Sequence, residues 1–333
     1  MPSNGTATGR PLRVGLVLGA GGVLGGAFHA GVLAALHEAT GWDPRRASVI
    51  VGTSAGSVLA AALRAGLPPA ELLARAEGRH PATVAAPGAA GTRPGPSPAP
   101  FLLRLRPGPG RTRAEVVSLL RSAALRPLST RPLAILASLV PDGTVPADFI
   151  RSGIEAIAPP AWPDDPLWIC AVRQRDGRRV VFGRDAFPDV AAAVTASCAI
   201  PGVFRPETID GEPYVDGGVH SPTNADLLAG YGPDLVIVSS PMSMAGRVPR
   251  LAVDQPARRW SGALLGGEAA ALRRRGAHVV AFQPTPDDLA VMGPNAMDRS
   301  RRADVARHAR LSTLRRLGRA DTRRRLDLLY RAG

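Results

Sequence analysis

Lysine is absent from this 333-residue chain, so all 41 basic residues are arginine, against 27 acidic residues. Coding bias explains that usage as well as function does. The formal charge of +14 favours anionic partners but does not choose among nucleic acid, acidic lipid head groups and phosphorylated substrates. Cysteine is nearly absent too. Cys170 and Cys198 make neither a disulfide framework nor a four-ligand zinc site, and Cys198, in an alanine-rich stretch, reads as a small packing residue. No His/Cys/Asp cluster has metal-ligand spacing, so no metal and no cofactor is expected. A convincing membrane span is also missing. Residues 14–36 come nearest, with no Asp, Glu or Arg, and Arg10 and Arg13 in front imitate the start of a signal peptide. Glycines clustered after a short β-branched run, with His29 among them, fit strand, turn and buried helix better. A cytoplasmic chain with at most peripheral membrane contact is the expectation.

What is present suits a large core: hydrophobic residues make up 45% of the chain, enough for one sizeable domain. Residues 1–12 read as a flexible tail, 13–290 as the main domain, and 291–333 as an Arg-rich helical segment. In that last segment Val305, Leu311, Leu314, Leu317, Leu326 and Leu329 offer an apolar side. Part of the excess of 37 Gly and 33 Pro falls in residues 80–112, predicted to be a mobile insertion. Residues 113–160 read as Pro-broken helices, a candidate lid or apolar wall carrying Ile135, Leu136, Leu139 and Val140. Strands are predicted at 13–18, 47–51, 167–173, 178–182, 235–239 and 278–282, with a short one reaching Val215. Helices are predicted at 27–39, up to 65, from 68, at 188–197 and at 257–274. This alternation predicts an α/β fold: a three-layer α/β/α sandwich around a central, mostly parallel sheet. Nothing in it sets an oligomeric state.

Three motifs carry chemistry. Gly52-Thr53-Ser54-Ala55-Gly56 has the GxSxG pattern of a nucleophile elbow, set between a strand and a helix. A serine on so sharp a turn projects its Oγ outward, and the helix N-terminus behind it stabilises negative charge. A plain turn of small residues has the same five letters. Gly19-Ala20-Gly21-Gly22-Val23-Leu24-Gly25-Gly26 directly follows the first strand, where a glycine loop aims several N–H groups at one point, for an oxyanion or a phosphate. A dinucleotide fingerprint is its rival, disfavoured because the next strand ends in the serine elbow and not in an acidic residue. Tyr214-Val215-Asp216-Gly217-Gly218 ends a short strand in a carboxylate before a glycine turn, which in isolation is an ordinary Asp-Gly turn.

In this order the motifs resemble the patatin-like phospholipase family: a glycine-rich loop, a GTSAGS elbow and a distant DGG. The passages SCAIPGVFRP (197–206) and YVDGG (214–218) are also similar to what that family shows around its aspartate. The resemblance covers about residues 14–240. It implies a lipid acyl ester hydrolase of phospholipase A or lysophospholipase type, with Ser54 as nucleophile and Asp216 as proton acceptor. It further implies an oxyanion hole from the amides of Gly21, Gly22 and Val23, with Gly52, Gly56, Gly217 and Gly218 shaping the turns. Two departures stand out. The family loop usually reads GGxRG, whereas Leu24 stands here at the Arg position, and Ala20 replaces the first glycine of the wider GxGxxG form. Backbone donors survive both changes, but a positive charge beside the hole is lost, which weakens the case for a phosphate near that spot.

Other readings stay open at this stage. Acyl transfer to an alcohol, or hydrolysis of non-phospholipid esters, would use the same dyad. A Ser-His-Asp triad would draw on His220 or His278, although an elbow after only two strands argues against an α/β-hydrolase. A non-catalytic basic module could dock on an anionic membrane through its C-terminal arginines, with nucleic acid the less favoured partner. The simplest reading of that segment is a solvated helix face whose leucines pack on the core.

Overall fold

The computed structural model describes residues 11–79, 142–246 and 254–330. The 80–112 insertion and most of the 113–160 region, with Ile135, Leu136, Leu139 and Val140, lie outside the described residues. Within the rest, β1 (Val14–Leu18), β2 (Val49–Thr53) and β7 (Leu235–Ser239) are buried at every position. Such unbroken apolar runs belong to strands covered on both faces. β8 (His278–Phe282) and β3 (Leu167–Arg173) continue the parallel part, β3 beside β2 and β8 beside β7. β4 (Arg178–Phe182), β5 (Glu207–Ile209) and β6 (Glu212–Asp216) are antiparallel additions. The strand order is β5-β6-β3-β2-β1-β7-β8, with β4 also on β3.

The two faces of the sheet bury alternate residues of each strand, as the period of two requires. Leu16, Leu18, Ile50, Ile169 and Ile237 meet α1 (Gly22–Thr40), α2 (Ala55–Arg64), α3 (Pro69–Ala76) and α5 (Val190–Ser197). Val17, Val49, Val51, Val236 and Val238 meet Leu265, Ala269 and Leu272 of α6 (Gln255–Arg274). The fold is therefore the expected α/β sandwich around a mostly parallel sheet. No described helix is long and apolar enough to cross a membrane.

One feature of the sheet positions the site. Ile169 through Arg173 of β3 are all paired with β4, which occupies one edge of that strand over these residues. The other edge is divided end to end between β2 and β6. β2 runs parallel to β3 and stops with Thr53 opposite Cys170; β6 runs antiparallel and stops with Asp216 opposite Ala171. Two strands from distant parts of the sequence thus point their C-termini at each other across adjacent residues of β3.

Several expectations need correction. The glycine loop is shorter than residues 19–26, because α1 begins at Gly22 and takes in Gly25 and Gly26, where the helix packs against Pro241 and Leu59. The short strand β5 was not expected. His278 does begin a strand, but it is exposed at that strand's end. Between α3 and β3, α4 (Asp148–Glu155) is an amphipathic helix; after β8 come α7 (Pro286–Met292), α8 (Arg302–Leu317) and α9 (Ala320–Tyr330). In α8, Val305, Ala306, Ala309 and Leu317 are buried, whereas Leu311 is 48% exposed. The reason is register: α8 lies along α1 so closely that a β-carbon on Gly31 would stand 2.5 Å from Ala306 O, and this contact selects small residues at helical spacing and turns Leu311 outward. Leu326 and Leu329 of α9 are fully buried, so the apolar side of the C-terminal segment packs on the protein's own core.

Candidate active site

Ser54 stands in the turn between β2 and α2 with φ 53° and ψ −124°, a backbone conformation that L side chains rarely adopt. Close packing forces this turn. A β-carbon on Gly56 would sit 2.0 Å from Leu18 O, so α2 can begin against the end of β1 only with glycine there. A β-carbon on Gly52 would sit 2.6 Å from Ser57 Cα, and Ser57 Oγ donates to Ser54 O at 2.6 Å, tightening the first turn of the helix. Asp216, at the opposing strand end, is 5% exposed, as is Ser54. Its carboxylate accepts from Gly218 N at 2.7 Å, and the Ser54 side chain lies near enough to lower its pKa. Burial pushes that pKa up to about 6, against the lowering effect of both groups. Gly217 packs against Cys170 O of β3 with no room for a side chain.

The glycine loop faces the same place. Gly19 N is bonded to Ser239 O, Ala20 N to Pro222 O, Leu24 N to Ala296 O and Gly25 N to Gly21 O. Among the described residues this leaves the amides of Gly21, Gly22 and Val23, at the head of α1, without a backbone acceptor. His29, which the sequence reading used only against a membrane span, holds this loop. Its Nε2 lies 2.7 Å from Gly19 O and its Nδ1 2.7 Å from Ser239 Oγ. A carbonyl only accepts, so Nε2 carries the proton and Nδ1 accepts from the serine. Burial lowers the His29 pKa to about 4, which keeps the ring neutral. His220 is buried beyond the DGG turn, and no histidine is interposed between Ser54 and Asp216 among the described residues.

Residues without a local pattern lock the two strand ends together. Ser197 Oγ accepts from Ser54 N at 2.9 Å and donates to Cys170 O at 2.6 Å, while Asp216 N donates to Ala199 O at 2.9 Å. The SCAIPGVFRP passage is therefore a brace for both the serine and the aspartate. Asn224, left-handed at φ 52°, donates through Nδ2 to Thr53 Oγ1 at 3.1 Å and Ser221 O at 2.6 Å. Behind it, the Glu268 carboxylate accepts from Ser221 Oγ, Thr223 Oγ1 and Ala225 N. Burial raises the thiol pKa of Cys170 to about 12 and that of Cys198 well above the ordinary range, so neither cysteine competes as a nucleophile.

Ser54, Gly22 and Val23 open into a cavity of about 460 Å³ whose walls include Leu72, Ala76, Ile150, Ile157, Ile200 and Phe204. Its size and apolar walls fit a ligand with a hydrocarbon portion. The family model for patatin-like phospholipases matches residues 16–229. Among solved structures, VipD from Legionella pneumophila is similar at 13% identity with a TM-score of 0.40, covering 92% of this chain and 66% of that one. The type III effector protein ExoU is similar at 19% identity with a TM-score of 0.38, covering 92% of this chain and 53% of that one. The chain thus spans less than two thirds of the length of either. With its matched region taking in the glycine loop, the serine elbow and the DGG turn, the chain belongs to the patatin-like phospholipase family.

Proposed function

We propose that this protein is a serine-dependent lipid acyl ester hydrolase of phospholipase A or lysophospholipase type, with Ser54 as nucleophile, Asp216 as base and the amides of Gly21, Gly22 and Val23 as oxyanion hole. The observation that carries the reading is that Ser54, in the wall of an apolar cavity, lies beside a buried carboxylate closely enough to act on its pKa. In the first half-reaction Ser54 Oγ attacks the ester carbonyl while its proton passes to Asp216. The oxyanion lies against the loop amides, and collapse expels the alcohol, which takes up the proton. Water then attacks the acyl-serine and gives a proton to Asp216; collapse releases the fatty acid and expels Ser54 Oγ, which takes the proton back from Asp216. An unperturbed aspartate is too weak a base for this task; a pKa of about 6 brings it nearer the working pH.

A fluorophosphonate probe is expected to label the protein at Ser54 alone, located by peptide mass spectrometry. Labelling at another serine, or none in a protein that turns over p-nitrophenyl esters, would overturn the assignment. Asn224→Gly tests the brace, since glycine keeps the left-handed backbone and removes only the side-chain bonds. It is expected to lower kcat by about tenfold or more, from the loss of buried hydrogen bonds worth about 1–3 kcal/mol, while KM changes little. A kcat within twofold of the parent would show that Asn224 does not position the dyad.

A further inference from the structure

Three arginines line the cavity wall; Arg75 is paired with Glu71 at 2.7 Å, and the other two, Arg299 and Arg302, have no part in the chemistry above. The chain after α7 returns over the glycine loop: Ala296 O accepts from Leu24 N at 2.9 Å, and Met297 Sδ lies 2.9 Å from where Gly22 would carry a β-carbon. A little further on, Arg299 and Arg302 line the same cavity as Ser54. Their neighbours are neutralised, Arg301 by Asp298 at 3.3 Å and Arg310 by Glu38 at 2.7 Å. Neither Arg299 nor Arg302 meets a carboxylate among the described residues. Arg302 is half-buried and donates to Arg75 O; Arg299 is exposed, its guanidinium 6.0 Å over the Phe149 ring. Burial and then the charge of Arg299 lower the Arg302 pKa. A half-buried, unneutralised guanidinium is costly until an anion arrives.

Position indicates which anion. Ser54, 5% exposed, and Arg299, exposed, line the same cavity, so an ester seated at Ser54 and reaching toward solvent has the arginines along its way. Two residues of chain reach at most about 7 Å, so Arg299 adjoins the segment that covers the loop amides. An ester with its carbonyl at Ser54 and its acyl chain on the apolar wall turns its alcohol half toward the arginines. The carboxylate of a fatty acid would instead occupy the carbonyl's own place. Leu24 is fully buried and supplies no charge. Resting on the hydrolase reading, we propose that Arg299 and Arg302 form a subsite for a phosphate on the alcohol side of the ester and are the residues by which this chain separates a phosphate-bearing lipid from a neutral acylglycerol. Both residues lie outside the region matched by the family, so the subsite is a property of this chain's C-terminal segment. Guanidinium and phosphate pair through parallel charge-assisted hydrogen bonds, which suits both residues to this role.

The test is direct binding followed by kinetics. Dodecyl phosphate, dodecanoate and dodecanol, each below its micellar concentration, are titrated calorimetrically into the full chain and into Arg299→Gln, Arg302→Gln and the double variant. Dodecyl phosphate is expected to bind at least about tenfold more tightly than dodecanol, and each substitution to weaken it by about tenfold with dodecanol unchanged. Dodecanoate binding as tightly, with the same loss in the variants, would assign the arginines to a carboxylate and overturn the proposal. In kinetics, the double variant is expected to lose about a hundredfold in kcat/KM on lauroyl-glycerol phosphate, mainly through KM, and less than twofold on monolauroylglycerol. Equal losses on both esters would make the arginines structural and overturn the subsite. If the parent hydrolyses neither ester yet keeps the arginine-dependent phosphate preference, the hydrolase reading fails and the subsite stands. If it hydrolyses both and the variants leave their ratio unchanged, the subsite fails and the hydrolase reading stands.

Discussion

Ser54→Ala and Ser54→Gly are expected to lose ester turnover alike, by about ten thousandfold or more in kcat, yet to differ in stability. Both remove the attacking oxygen, and what remains is the rate that loop amides and binding alone provide. Stability separates them because the backbone at Ser54 is held at φ 53° and ψ −124° by packing on either side. Alanine keeps that strain, whereas glycine adopts positive φ without a β-carbon clash. Any interaction of the Ser54 hydroxyl with Asp216 is lost in both and cancels in the comparison. Glycine's greater freedom in the unfolded chain takes back part of the gain, so the glycine variant should be the more stable by about 1 kcal/mol, a melting difference of about 1–2 °C for a protein of this size. Differential scanning calorimetry on the two inactive proteins checks this. An alanine variant that melts at or above the glycine variant would show that the elbow stores no strain.

How legible this site was depended on whether each residue's role is local. The strands predicted at 167–173, 178–182, 235–239 and 278–282 have those bounds in the structure, because each is a short apolar run stopped by turn residues. β5 escaped notice as three residues, two of them polar, although Asp210 and Gly211 at φ 51° and 77° form the left-handed pair that joins it to β6. Ser54 and Asp216 announced themselves through the glycines that their turns require. Ser197, Asn224, His29 and Glu268 did not, since each is a common residue type whose partners lie on other elements. Only the packed fold brings Ser197 to Ser54 N, or Glu268 in the middle of α6 to the loop beyond the DGG turn. Arg299 and Arg302 were hidden differently. In sequence they are two among many arginines, and only their place in the cavity wall sets them apart.

Asp216→Asn is expected to move activity and stability in opposite directions. Removing the base should lower kcat/KM by about a thousandfold or more near neutral pH. In the parent the base must be ionised, so kcat/KM should rise with pH through about 6 and level off above it. The same pKa fixes the sign of the stability effect. Burial raises Asp216 from its ordinary 3.8 to about 6, so folding favours the protonated carboxyl. Below about pH 4 both folded and unfolded chains hold the proton and the fold has its full stability. As pH rises through the folded-state value the unfolded chain has already ionised, and stability is lost until the folded carboxyl ionises too. Asparagine has no such transition. Its Oδ1 still accepts from Gly218 N, and its Nδ2 can donate to the neighbouring Ser54 Oγ. Parent and variant should therefore melt at similar temperatures near pH 4, with the variant melting higher near pH 8. A variant that is less stable than the parent at the higher pH would mean that the buried carboxylate is a net structural contributor. The strand ends would then meet at Asp216 for folding, and its basicity would be incidental.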